Sequence, residues 1–270
     1  MKTALIVTTY NWPGALRRVL DSVMLQSRMP DEVIIADDGS GPETRALVDE
    51  FRPRLLAPLI HSWQEDLGFR AARSRNLAIS RSSSEYLILI DGDMVLHSNF
   101  VDDHIYFARQ GFWVQGVRAK LSPVGAEELL ISESYRPLQM WDGRLKSKRY
   151  SIRNQVLRRI FSGRRYFAKL SMAQTCNLAV YRKDCIKVNG FNEDFVGWGR
   201  EDGEFACRLM NAGVKRRDLR FSGVAYHIHH EGNARAALER NHQIYLNTLR
   251  NRVAWCENGL SAHTHAPGLS

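Results

Sequence analysis

The chain has 270 residues, with 38 Lys+Arg against 29 Asp+Glu and a formal net charge of +9. That length suffices for one large domain or two small ones with a real core, and 44% hydrophobic and 25% charged residues are ordinary for a soluble globular protein. No apolar run approaches the roughly 20 residues that span a bilayer, and Met1-Lys2 leads straight into TALIVTT, so neither a membrane span nor a signal peptide is expected.

In chain order, Ala4–Thr9 (ALIVTT) reads as a strand buried on both faces. Pro13 and Gly14 open a helix in which Leu16, Val19, Leu20, Val23 and Met24 recur at three- and four-residue spacing. Val33–Ala36 (VIIA) predicts a second strand ending in Asp37-Asp38-Gly39-Ser40, then a helix over about Pro42–Phe51 and a short strand near Leu59–His61. Arg70–Ile79 reads as helical, and Tyr86–Ile90 (YLILI) as a buried strand ending in Asp91-Gly92-Asp93. This βαβα order predicts an α/β fold with a doubly wound, mostly parallel sheet. Beyond about Phe100 the pattern loosens. Cys176–Tyr181 reads as a strand, Ala234 to about Trp255 as a helix, and the last dozen residues as a frayed tail. Cys176, Cys185, Cys207 and Cys256 form no CxxC pair or zinc spacing, which predicts reduced core thiols in a cytosolic protein.

Positive charge is concentrated between Arg144 and Lys169, which hold ten Lys/Arg and no acid, interleaved with Tyr150, Ile152, Val156, Leu157, Ile160, Phe161, Tyr166 and Phe167. Such a segment suits nucleic acid, an anionic membrane surface, or a solvated helix with an apolar face on the core.

Ligands of doubly wound sheets sit beyond the carboxyl ends of the strands. Three strand ends here carry polar groups, Thr8-Thr9-Tyr10-Asn11, Asp37-Asp38 and Asp91-Gly92-Asp93, and they are expected to converge on one crevice. Two carboxylates around one glycine suit a hard divalent cation held with a diphosphate, although Asp-Gly is also a common turn. Asp37 and Asp38 suit either an Asx-turn and helix cap or the N–H and hydroxyl groups of a nucleoside. Arg70, Arg73 and Arg75 bring guanidinium groups that pair with diphosphate. A G-x-G-x-x-G fingerprint and a Walker A loop are both absent, which argues against dinucleotide oxidoreductases and P-loop NTPases. A further cluster, GWGREDGEF (Gly197–Phe205), packs Glu201, Asp202 and Glu204 beside Trp198, more acids than a helix dipole requires.

The ordered set VTTYNWPGAL, ADDGS, DLGFRAARSRNLAI and YLILIDGD resembles the family 2 glycosyltransferases, whose fold is called GT-A. GWGREDGEF followed by AYHIHHEG resembles the C-terminal part shared with β-1,4-galactosyltransferases, chondroitin polymerase and polypeptide N-acetylgalactosaminyltransferases. The resemblance spans roughly residues 3–232, and overall the chain looks like bacterial lipopolysaccharide-core glycosyltransferases. It implies a single compact GT-A domain with a nucleotide-sugar-binding half (1–100), an acceptor-binding half (101–232) and a C-terminal helix and tail (233–270). Thr9, Tyr10, Asn11 and Asp37 or Asp38 would line the nucleobase and ribose site, with Arg75 and Arg70 on the donor and Asp91 facing the ribose. Asp93 and His227 would ligate Mn²⁺ or Mg²⁺, with His229 or His230 as alternates to His227. Asp202 matches the general base, Glu201 would help hold the acceptor, and Trp198 would stack on a sugar. Glu204 is expected to be no more than a surface or helix-dipole residue.

The implied reaction is inverting transfer from a nucleotide sugar, a UDP-sugar by resemblance, to a glycan or lipid-linked glycan in lipopolysaccharide or polysaccharide synthesis. No nucleic acid partner is expected. The protein is expected in the cytoplasm, held peripherally at an anionic inner leaflet through residues 144–169. Two other readings weigh against this one. A sugar-nucleotide nucleotidyltransferase would need the glycine- and lysine-rich N-terminal loop that TTYNWPG replaces, and a nucleic-acid binder would leave the crevice acids unexplained.

Overall fold

The computed structural model describes residues 1–163, 173–231 and 236–264. Its central sheet has seven strands in the order β3-β2-β1-β4-β8-β6-β9. These are β1 (Thr3–Thr9), β2 (Glu32–Asp37), β3 (Leu59–Trp63), β4 (Tyr86–Asp91), β6 (Phe112–Gln115), β8 (Asn177–Tyr181) and β9 (Lys215–Asp218). The first four run parallel, as the βαβα reading requires, while β8 lies antiparallel between β4 and β6. Parallel neighbours need long crossovers, and α1 (Pro13–Met24), α2 (Pro42–Phe51) and α3 (Ala71–Arg81) supply them.

Alternation along the strands divides the core. Leu5, Val7, Val33, Ile35, Ile88 and Ile90 face α1, α2 and α4 (Phe100–Phe107). Ala4, Ile6, Ile34, Ala36, Leu87 and Leu89 face α3, α7 (Arg182–Lys187) and α8 (Glu201–Asn211). With apolar side chains in demand on both faces, the strands read as unbroken hydrophobic runs. A second, three-stranded sheet in the order β5-β10-β7 joins Met94–Leu96, Val224–His227 and Val117–Lys120, backed by α5 (Pro123–Ile131). Sequence pattern did not reveal this sheet, because its strands are three or four residues long.

Three expectations need correction. The basic segment is not one long helix: it holds a 3-10 turn at Lys148–Tyr150 and the seven-residue α6 (Gln155–Phe161), while residues 164–169 lie outside the described residues. Several of its cations are used internally. Arg144 grips Asp142, and Arg153 and Arg158 converge on the fully buried Asp103, which also accepts from the Gly223 N–H. The C-terminal helix, α9, is Leu238–Arg250, ending before Trp255 because Arg252 takes φ 50° and turns the chain; Ala234 lies outside the described residues. Part of the tail is also ordered. Cys256 and Leu260 are buried, Asn189 bonds both the Cys256 carbonyl and the Ser261 N–H at 2.7 Å, and Ser261–Thr264 forms the short α10.

All four cysteines are free and buried, and burial pushes their thiols above the ordinary range. No helix among the described residues is long and apolar enough to cross a membrane.

Candidate active site

Because β2, β1 and β4 are neighbours, Thr9 pairs with Asp37 and Thr8 with Asp91, and the three polar strand ends meet as expected. Backbone bonds continue past the strands, from Asp38 N to Thr9 O at 3.0 Å and from Gly92 N to Thr8 O at 2.6 Å. Gly92 is required by that approach: a Cβ there would lie 2.9 Å from Thr9 Oγ1.

The acids at these ends differ in access. Asp37 is fully buried; its Oδ1 accepts from the Ser40 N–H at 2.8 Å and its Oδ2 pairs with His61 Nε2 at 2.7 Å. Both its oxygens are engaged by the turn and the neighbouring strand. Asp38 accepts from Gln64 Nε2 at 2.6 Å and from the Arg70 N–H at 2.8 Å, while Arg73 holds Gln64 Oε1 at 2.7 Å. Burial nonetheless raises its carboxyl to about 6, against those hydrogen bonds. The Arg70 side chain bonds its own loop at Leu67 O. Tyr10 is half exposed and donates to Asp66 at 2.9 Å. Asn11, at φ 44°, accepts from the Gly41 N–H and so braces the turn after Ser40.

Arg75 is the hub of the crevice. It is 4% exposed, lies over the Phe191 ring, and donates from Nε to Thr8 Oγ1. Its two terminal nitrogens reach Asp91 and Asp202 at 3.4 Å each, with Glu201 at 3.7 Å. One guanidinium thus ties the β4 end to the first turn of α8. Burial pushes the carboxyls of Asp91 and Glu201 up, the neighbouring Asp93 and Asp202 add to it, and Arg75 opposes the shift in both. Asp202 receives two further donors from Thr175, Oγ1 at 2.7 Å and N at 3.1 Å. Its side chain is 25% exposed against 10% for Glu201, whose Oε2 accepts from the Gly199 N–H.

Pairing of β5 with β10 sets Asp93 opposite the histidines, and Ile228 N closes the pair on Asp93 O at 2.9 Å. Asp93 Oδ2 lies 3.3 Å from His227 Nε2 and 3.1 Å from His230 Nε2. Asp93 Oδ1 is buried with no hydrogen-bond partner among the described residues. A carboxylate and two imidazoles whose donor atoms lie within 4.8 Å of one another, one oxygen unpartnered, fit a divalent cation. His230, an alternate in the sequence reading, stands in this cluster beside His227, while the exposed His229 does not. Burial lowers His227 to about 4; the hydrogen bond to Asp93 raises His230.

GWGREDGEF forms a corner and then a helix start. Gly197, Gly199 and Arg200 take φ of 79°, 111° and 75°, and a Cβ on Gly197 would meet Ala237 at 2.5 Å. The Gly197 N–H bonds the Phe69 carbonyl at 2.9 Å, and Asn241 holds the Gly197 carbonyl. Trp198 between them is half-buried, outside the three core clusters. Glu204 corrects expectation: it is 1% exposed and grips Arg208 with both oxygens, at 2.8 and 2.9 Å, while Thr248 of α9 donates to it. The acid is an internal tie between α8 and α9.

Thr175, and Arg118 of β7 whose charge lowers the carboxyl of Asp91, carry no motif that sequence reading could have used. A cavity of about 540 Å³ adjoins this region, with Arg118 and Gln174 in its wall.

The sequence profile of glycosyl transferase family 2 matches residues 4–183, and that of the N-terminal domain of galactosyltransferase matches residues 158–231. Validoxylamine A glucosyltransferase of Streptomyces hygroscopicus subsp. limoneus is 27% identical over 227 residues, covering 78% of this chain and 48% of the relative. Chondroitin synthase of Escherichia coli is 23% identical over 244 residues, covering 83% and 34%. The chain spans about half the length of such relatives, or less. Among solved structures, S. aureus TarS 1–349 in complex with UDP-GlcNAc superposes with a TM-score of 0.62 at 14% identity, covering 97% of this chain and 69% of that one, a likeness of fold.

Proposed function

The chain belongs to glycosyl transferase family 2, and on that premise we propose that it moves a sugar from a UDP-sugar to a hydroxyl of a glycan acceptor with inversion at the anomeric carbon. The observation that carries the reading is the Arg75 bridge, which sets the Asp91 strand end and Asp202 of α8 on one guanidinium. Thr9, Tyr10 and Asp38 take the nucleoside side of the crevice, and Trp198 and Asp202 the acceptor side.

Asp202 is the base. Thr175 and Arg75 fix its carboxylate, and its remaining exposure is toward the crevice. It takes the proton of the acceptor hydroxyl as that oxygen bonds the anomeric carbon from the face opposite the diphosphate. The bond from that carbon to the diphosphate breaks with its electron pair, and the nucleoside diphosphate departs. Glu201, bonded to the Gly199 N–H, shapes the loop that presents Trp198. Asp93, His227 and His230 would hold the divalent cation, which supplies Lewis-acid stabilisation to the leaving diphosphate when bound. Two imidazole nitrogens suit Mn²⁺ better than Mg²⁺, which prefers all-oxygen ligands.

The UDP-GlcNAc bound by TarS 1–349 supports a UDP-sugar donor, and the chondroitin and hyaluronan synthases among the relatives support an acceptor in cell-surface polysaccharide or lipopolysaccharide synthesis. Contact with an anionic leaflet is favoured by α6, which exposes Val156 and Ile160 beside Arg159; flotation with anionic liposomes at low salt tests it. The deciding experiment for the reaction is a panel of UDP-sugars with Mn²⁺ or Mg²⁺. Mn²⁺-dependent hydrolysis or thermal stabilisation by one of them is expected, and no response to any would sink the reading.

A further inference from the structure

Between β7, the 3-10 turn at Lys148–Tyr150 and the end of β9 lies the cavity of about 540 Å³. Among the described residues, Arg118, Lys120, Arg149 and Arg216 line it against one acid, Asp218. That acid is already engaged, since Arg216 Nε donates to Asp218 Oδ1 at 2.6 Å. Arg216 is 8% exposed, its guanidinium lies 5.1 Å from the Trp113 ring, and its Nη1 is buried with no hydrogen-bond partner among the described residues. A buried charged donor left unmade is costly, and the pairing it lacks is an oxyanion. Tyr150 and Phe221 add flat apolar surface to the same walls, which suits the face of a sugar ring.

Position ties the cavity to the reaction. Gln174 lines it, and the next residue, Thr175, holds Asp202. Lys120 lines it and pairs across strands with His227. The cavity therefore adjoins, through Gln174 and Lys120, the residues that hold the base and the metal cluster. We propose that this cavity recognises an oxyanion, phosphate or carboxylate, carried by the acceptor on or next to the sugar whose hydroxyl reacts. The identification of the ligand as acceptor rests on the glycosyl-transfer reading; the anion site itself rests on the cavity alone.

The full chain, saturated with UDP to occupy the donor side, is titrated calorimetrically with glucose, glucose 6-phosphate and glucuronate. Glucose 6-phosphate or glucuronate should bind at least tenfold more tightly than glucose, and whichever of the two binds tighter names the oxyanion. Lys120 and Arg149 are exposed, so Lys120→Gln/Arg149→Gln should fold normally, keep UDP affinity and lose at least tenfold of the charged-sugar affinity. Equal binding of charged and neutral sugars, or charged-sugar affinity unchanged in the double variant, would overturn the proposal. Loss of UDP binding with charged-sugar binding intact would instead sink the transfer reading and leave the anion site standing.

Discussion

Along the wall formed by β1, β2 and β4, the carboxylates end on donors from the protein itself. Asp37 sits between Ser40 and His61, and Asp38 between Gln64 and the Arg70 N–H. On the facing wall, Asp93 keeps Oδ1 and Arg216 keeps Nη1 buried without a partner among the described residues. Buried polar groups are normally paired, so the first wall holds its shape alone and the second is complementary to something that arrives. The contrast separates groups whose partners are internal from groups with a pairing still open, although both kinds are acids and arginines.

The largest effect expected lies where the walls meet. Asp202→Asn keeps one oxygen for the Thr175 hydroxyl and Arg75, gives up the acceptor of the Thr175 N–H, and removes the base; turnover should fall roughly 10²- to 10⁴-fold with UDP-sugar affinity retained, and near-normal initial rates would refute the assignment. On the self-contained wall, Asp37→Ala orphans the Ser40 N–H and should cost about 3 kcal/mol in urea unfolding. Asp93→Ala on the facing wall loses only the Oδ2 contacts to the part-exposed His227 and His230 and should cost about 1 kcal/mol without metal, yet abolish any rise in melting temperature with Mn²⁺. If it destabilises the metal-free protein as much as Asp37→Ala does, the two walls are not different in kind.

A further effect concerns protonation. Asp38 titrates at about 6 in the folded protein against 3.8 for the free side chain. Between those values the native state holds a proton that the unfolded chain has released, so this carboxyl lowers stability as pH rises through the window, by at most about 1.4 kcal/mol per pH unit. Asp38→Asn has no such proton, and its stability relative to wild type should climb between pH 4.5 and 6.5. Parallel urea midpoints for the two proteins across that range would rule out a raised Asp38.

The parallel half of the fold was legible because β1, β2 and β4 are buried on both faces and so written as apolar runs. The small sheet was not: β5, β7 and β10 are fixed by pairing partners more than a hundred residues apart, which leave no local period. Asp93 and the histidines were legible as types in motifs, whereas the choice of His230 over His229 depends on where the chain turns after β10. Glu204 misled because an acid in a first helical turn has an adequate local explanation, and only the packing of α9 shows what it does. Arg216 sits in KRRD, where nothing local distinguishes a buried cation from a solvated one.

The corner at Gly197 bears on how mutations in this protein will be read. Its N–H bonds the carbonyl of Phe69, and the next amide, Arg70, bonds Asp38. A single peptide group, Phe69–Arg70, thus stitches the loop Leu67–Arg70 to the nucleoside side through its N–H and to the Trp198 corner through its carbonyl. A genetic selection scored on acceptor choice should therefore return substitutions at Leu67–Arg70, which touch no acceptor. A selection scored on donor choice should return Trp198's neighbours. Phenotype will not map residue by residue onto ligand.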